Sequence, residues 1–215
     1  MFVANLPGQV GVALRHRYWR RRVAHMGDNV RIDTGVLFLN PACIYLEDGC
    51  WIDRNVTILA GAPGGSRVTH EIANPDFTMR AGEVRIGAAS HIAPNCVLSG
   101  LGGLSIGCNC TIAANSSIYS FSHHYRNLVD SADRGQYSFS SRARADQQAM
   151  ILGAVTIGDY CAVGLNGVIL PGTSLGTGTW IGAHQLVSGR HGDQLLLYST
   201  SKPQQKSLER FQIIK

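Results

Sequence analysis

The side chains best suited to moving a proton stand together at His123, His124 and Tyr125, inside the segment YSFSHHYRNLVDSADRGQYSFS. An unperturbed imidazole titrates at about 6.5, so a positioned histidine can act as a general base near neutral pH. The remaining candidates point elsewhere. His70 lies in a turn-rich stretch with no partner spacing and reads as a surface residue, and His91 reads as an outward, solvated one. Of the six cysteines, Cys108 and Cys110 are separated by a single residue and no second pair exists, so no zinc-ligand spacing is present and no metal is expected. Cys50, Cys96, Cys110 and Cys161 each follow an aliphatic ladder residue by four positions, where a thiol serves as a small hydrophobe.

The elements that must position the histidines follow from a six-residue period. Ile157, Val163, Ile169, Leu175, Ile181 and Val187 fall at every sixth position, and Gly158, Gly164, Gly176 and Gly182 follow four of them. Such a period matches neither a helix nor simple strand alternation; it marks a stacked repeat in which each unit is a short strand and a tight corner. Three units would close a triangular coil, and coils would stack about 4.8 Å apart as parallel strands. The same phase runs through Met26, Ile32 and Phe38, resumes after eight residues at Leu46, Ile52 and Ile58, and recurs at Ile86, Ile92 and Leu98, then eight residues on at Ile106, Ile112 and Ile118.

Two stretches break the phase, residues 60–83 and 119–150, and both read as loops thrown out from a corner. A long excursion from a regular scaffold is where function concentrates, and the second one opens with His123. Residues 9–24 (QVGVALRHRYWRRRVA) read as a helix with Val10, Ala13, Leu14 and Tyr18 on its buried face, capping the open first coil. Arg15, Arg17, Arg20, Arg21 and Arg22 also suit this helix to peripheral contact with an anionic membrane. The predicted organisation is a capping helix over 1–25, a repeat domain over 26–189 and a tail over 190–215.

Length and composition agree with one globular domain: 215 residues, 45% hydrophobic, 25 glycines and a net charge of +5. The positive charge suits an anionic ligand, yet no zinc finger, recognition helix or aromatic RNA-binding signature accompanies it, so nucleic acid is not expected as a partner. Without an apolar run of eighteen residues or a signal-peptide pattern, the chain reads as cytoplasmic, possible contact being with the inner face of the membrane.

The ladder, with its wording IGDYCAVGLNGVILPGTSLGTGTWIGA, resembles the hexapeptide-repeat acyltransferases, and the opening LPGQVGVALR and the stretch IGCNCTIAANSSIYSFSHH resemble the sugar O-acetyltransferases of polysaccharide biosynthesis among them. The resemblance covers residues 6 to 190. It implies an all-β fold, a left-handed parallel β-helix, and an acetyl-CoA-dependent enzyme transferring an acetyl group directly to a sugar hydroxyl of a surface polysaccharide or its precursor. It implies that His123 is the catalytic base, with His124 and Tyr125 beside the acceptor. Asn95 is the nearest match to an orienting polar residue, although an ungapped alignment places Ala93 there. It implies further that coenzyme A lies against Gly164, Leu165, Gly182 and Ala183, in a groove between the subunits of a homotrimer.

Departures from the family pattern fall near the end of the chain. Ser188 and Gly189 replace a Thr-Lys pair, so Arg190 is the residue left to reach a phosphate; Lys202 stands in a reordered STSKPQQK stretch, and Ala162 replaces a common Trp. Other readings on the same scaffold are an N-acyltransferase acting on an amino sugar or antibiotic, and a β-helix without activity. The zinc carbonic anhydrase type needs three histidines on adjacent coils, and their spacing is absent.

Overall fold

Aliphatic side chains at six-residue spacing can all be buried only if each short strand turns a corner before the next, and the computed structural model, which describes residues 2–65, 67–199 and 203–207, shows that arrangement as a left-handed parallel β-helix. Three sheets of short parallel strands form the faces of a prism. The first face runs from His25–Met26 through Ile44–Leu46, Val84–Ile86, Leu104–Ile106, Val155–Ile157 and Ser174–Leu175 to Arg190–His191. The second begins at Arg31–Ile32 and runs in parallel to Leu195–Ser199, on which Pro203–Ser207 pairs antiparallel, and the third begins at Leu37–Leu39 and ends at Leu186–Val187.

The ladder residues stack in register. Met26, Leu46, Ile86, Ile106, Ile157 and Leu175 form one inward column. Ile32, Ile52, Ile92, Ile112, Val163 and Ile181 form the second, and Phe38, Ile58, Leu98, Ile118, Ile169 and Val187 the third. Nearly all are fully buried, and Cys50, Cys96, Cys110 and Cys161 fill corners among them. The corner between the second and third faces places Asn55, Asn95, Asn115 and Asn166 at positive φ. Asparagine tolerates that left-handed conformation because its short polar side chain finds hydrogen bonds locally.

Helix α1 (Gly8–Arg20) caps the first coil, but on a different face from the one periodicity predicts. Gly11, Arg15 and Trp19 are buried, whereas Val10 is 68% exposed and Leu14 42%. The surface to be covered is the open edge of the first coil, which offers carbonyl oxygens as well as apolar side chains. Arg15 donates from Nε to the Ile32 carbonyl at 2.9 Å and from Nη1 to the Leu6 carbonyl at 2.6 Å. Trp19 packs on Phe38 with ring centroids 4.6 Å apart. At Gly11 a Cβ would lie 1.8 Å from the Leu6 carbonyl oxygen, so only glycine allows this approach.

The two excursions are not plain loops. Val68–Ile72 from the first and Ala149–Gly153 from the second pair in parallel, and Phe121–His124 pairs antiparallel to Ala149–Gly153, giving a three-stranded sheet beside the prism. Residues 190–199, expected as tail, instead continue the coils: Arg190–His191 extends the first face and Leu195–Ser199 the second.

Candidate active site

His123 is carried on the side sheet, directly opposite Met150, which is in turn opposite Thr69. Side chains alternate along a strand, so His123 shares its side with Phe121, while Ser122 and His124 face the other way. The Phe121 ring meets the His123 ring edge-on at 5.8 Å, and buried Met150 lies beneath the same row. Among the described residues nothing hydrogen-bonds the His123 ring, which leaves it open to a reacting hydroxyl or amine. His124 is engaged by its own turn: Nδ1 accepts from the Arg126 amide at 3.2 Å and lies 3.0 Å from the Arg126 carbonyl. Tyr125 is exposed, under the Arg126 guanidinium.

Residues 127–137 of the second excursion are tied together by Asp133. Its carboxylate accepts from the Tyr137 hydroxyl at 2.6 Å, from Asn127 Nδ2 at 3.0 Å and from the Gly135 amide at 2.8 Å. These bonds, that of Tyr137 first, hold the carboxyl below the usual range. The first excursion is tied down by Asn74 and Asp76. Asn74 Nδ2 donates to the Ala154 carbonyl at 2.9 Å and to Thr156 Oγ1 at 3.0 Å; Asp76 accepts from the Ser174 hydroxyl and pairs with Arg190 at 2.9 Å. Asn74 and Asp76 carry no sequence signal, since these partners lie 80 to 114 positions away.

Within one chain Asn95 lies apart from His123. It sits at the corner between the second and third faces, where its Oδ1 accepts from Asn55 and its Nδ2 donates to Asn115, both at 3.2 Å. The strand carrying His123 leaves from another corner, between the third and first faces. Asn95 therefore belongs to a column of stacked corner asparagines. His91 is also not simply solvated: it stacks on Trp51 at 4.4 Å, with Nε2 3.4 Å from Asp53 Oδ2.

Gly164, Leu165, Gly182 and Ala183 come together at the corner between the second and third faces, on successive coils. A Cβ on Gly164 would meet the backbone of Ala183 at 2.6 Å, so this glycine lets the coils stack. The Gly164 and Gly182 amides are spent on the Ile181 and Leu197 carbonyls. The amides of Leu165 and Ala183 have no partner among the described residues, and these two positions are exposed. Arg190 is committed to Asp76, Ser188 is exposed with its carbonyl 2.9 Å from His191 Nε2, and Lys202 lies outside the described residues. A cavity of about 440 Å³ beside Arg190 is lined by Asp76, Thr156, Ser174 and His191. A second, of about 480 Å³, lies between α1 and the second face, lined by Arg31, Asp33, Trp51 and Asp53. His123 lines neither. Among the described residues no three His, Cys, Asp or Glu side chains converge as a metal set.

Residues 154–183 match the hexapeptide repeat of succinyl-transferase. No curated protein matches the chain. Among solved structures, AntD, an N-acyltransferase from Bacillus cereus in complex with dTDP and 3-hydroxybutyryl-CoA, superposes with a TM-score of 0.70 at 18% identity, over 90% of this chain and 87% of that one. The fold is that of the hexapeptide-repeat acyltransferases. A variant of AntD in complex with dTDP and coenzyme A gives a TM-score of 0.71 at 17% identity, over 94% of this chain and 90% of that one. A hexapeptide-repeat containing acetyltransferase from Vibrio cholerae O1 biovar eltor, complexed with acetyl coenzyme A, gives 0.54 at 16% identity, over 96% and 81%.

Proposed function

We propose that this hexapeptide-repeat protein is an acetyl-CoA-dependent O-acetyltransferase acting on a sugar hydroxyl, with His123 as general base. The observation that carries this reading is the unpartnered ring of His123, held by a sheet that stands outside the coils. Bound acetyl-CoA would supply an already activated thioester carbonyl, so no nucleophilic side chain is needed. His123 takes the proton of the acceptor hydroxyl as its oxygen attacks, and returns a proton to the departing sulfur. The Leu165 and Ala183 amides, at exposed positions and without a partner among the described residues, would be donors to a carbonyl or pantetheine oxygen.

Base and corner lie on different edges of one prism, which supports a shared site in a homotrimer. The outward side of the third face supports it too, since Leu37, Leu39 and Leu186 are 50–66% exposed there. A species measured as monomeric by light scattering would argue against it.

The test of the reaction is release of free thiol from acetyl-CoA in the presence of candidate glycans. His123→Ala should lower the acceptor-dependent rate by roughly 10² or more, and His124→Ala much less. Equal rates for His123→Ala and the unmodified protein would overturn the assignment. Transfer to an amino group is the second reading, favoured by the likeness to AntD, an N-acyltransferase whose variant binds dTDP-4-amino-4,6-dideoxyglucose. Offering that nucleotide sugar beside hydroxyl-only sugars separates the two.

A further inference from the structure

The positive charge of this protein is concentrated at one end. The arginines at 15, 17, 20, 21 and 22 are five in number; taking them from the 19 Lys and Arg leaves 14, which the 14 Asp and Glu balance, so these five equal the whole net charge of +5. No acidic residue precedes Asp28. Within this group Arg15 is buried against the first coil, and Arg22 lies over the Tyr18 ring at 3.7 Å while donating to the Tyr18 carbonyl. Arg17, Arg20 and Arg21 are exposed and make no ion pair among the described residues.

The apolar residues expected to face the core complete the pattern. Val10, Leu14, Arg17 and Arg21 follow one another at helical spacings of four, three and four, so they form a single stripe along the outside of α1, flanked by Ala13 and Arg20. The opposite side, Gly11, Arg15 and Trp19, is already used by the solenoid. The stripe is apolar at the start of the helix and cationic at its end, without a carboxylate to neutralise it.

We propose that this stripe docks the protein on an anionic lipid surface, Val10 and Leu14 entering the boundary between headgroups and acyl chains while Arg17, Arg20 and Arg21 pair with headgroup phosphates. Exposed arginines alone would suit any polyanion. Collinear exposed Val10 and Leu14 gain nothing on a nucleic acid backbone but are buried by a lipid interface, and that difference selects the membrane. The excursion sheet arises from the second and fourth coils, whereas α1 covers the first, so docking through α1 leaves the strand of His123 uncovered.

Flotation of the full chain with phosphatidylglycerol vesicles, compared with phosphatidylcholine vesicles, tests this. Binding to phosphatidylglycerol and not to phosphatidylcholine is expected, weakening steeply with salt. Each Arg→Gln change at 17, 20 or 21 should weaken it about five-fold, and the triple variant about 10². Val10→Ser with Leu14→Ser should also release the protein from vesicles while leaving retention on heparin unchanged. All these positions are exposed, and unchanged thermal melting confirms that the variants fold. Absence of phosphatidylglycerol binding at low salt overturns the proposal. So does binding indifferent to the Val10 and Leu14 changes, which would mark a general polyanion surface.

Discussion

Asn74 is the residue whose removal should most cleanly separate the side sheet from the coils. Its amide group has two hydrogens and two well-placed acceptors, the Ala154 carbonyl at 2.9 Å and Thr156 Oγ1 at 3.0 Å, with the Thr173 carbonyl at 3.4 Å behind them. A neutral hydrogen bond contributes about 1 kcal/mol net, so Asn74→Ala should cost the excursion about 2 kcal/mol, or about 30-fold in its local opening. The strand just before this anchor, Val68–Ile72, is the outer partner of Ala149–Gly153, which in turn holds Phe121–His124. Hydrogen exchange should therefore quicken about 30-fold in residues 68–72 and 149–153, with no change in the coil strands 104–119, whose amides exchange only through larger openings. On the proposed chemistry kcat should fall while KM for acetyl-CoA stays fixed, because the corner residues Leu165 and Ala183 are untouched. Exchange in 68–72 that does not change, or that rises equally in the coils, would refute the claim that Asn74 anchors the sheet.

Other outcomes follow from burial and charge. Burial pushes the Cys50 thiol up to about 12 and Cys96 to about 11, and Cys110 is raised as well, chiefly by its neighbour Cys161; a thiol reagent at pH 8 should label half-exposed Cys43 and Cys108 first, and peptide mapping that finds Cys50 or Cys96 among the fast sites would contradict this. The Asp76 carboxyl is held below its ordinary value, first by the Ser174 hydroxyl and then by Arg190, so its contribution is complete above about pH 3.9 and is lost only as pH falls through the lower folded value. Limited proteolysis within residues 60–83 should stay slow at pH 5 and quicken only in stronger acid. Arg15→Met removes two charge-assisted bonds to carbonyls and should destabilise the cap by about 3 kcal/mol, seen as early loss of α1 protection; a variant as stable as the parent would show that Trp19 and Gly11 suffice.

The sequence states the coils openly because the β-helix interior is restrictive: residues pointing inward at every sixth position are apolar, nearly all aliphatic, and one corner repeats asparagine at positive φ, although Ala89, Tyr160, His184 and Gln194 also take that conformation. Ile112 is therefore legible from its own neighbourhood. The face of α1 is not. Hydrophobic periodicity assumes that a helix covers apolar side chains, and this one covers an open strand edge whose Ile32 carbonyl needs a donor, so Arg15 goes inside and Val10 and Leu14 outside. The side sheet is illegible for a different reason. Val68–Ile72 and Ala149–Gly153 are five residues each, about 80 apart in sequence, and nothing local declares which strand each will meet. His123 lies between the two cases: the break in period marks where it stands, but its neighbours Met150 and Thr69 are supplied by distant segments.

That division has a physical cause that bears on where a base can be placed. Inward positions of the coils are filled by aliphatic columns, and outward positions stand in columns about 4.8 Å apart, so a side chain there is flanked by those above and below. His91 shows the result, stacked on Trp51 and within reach of Asp53. Asn95, likewise, is taken up by Asn55 and Asn115. A ring that must remain available to a substrate needs a site outside the stacking register. The excursion that breaks the six-residue phase is such a site, and the side sheet gives it order without returning it to the columns.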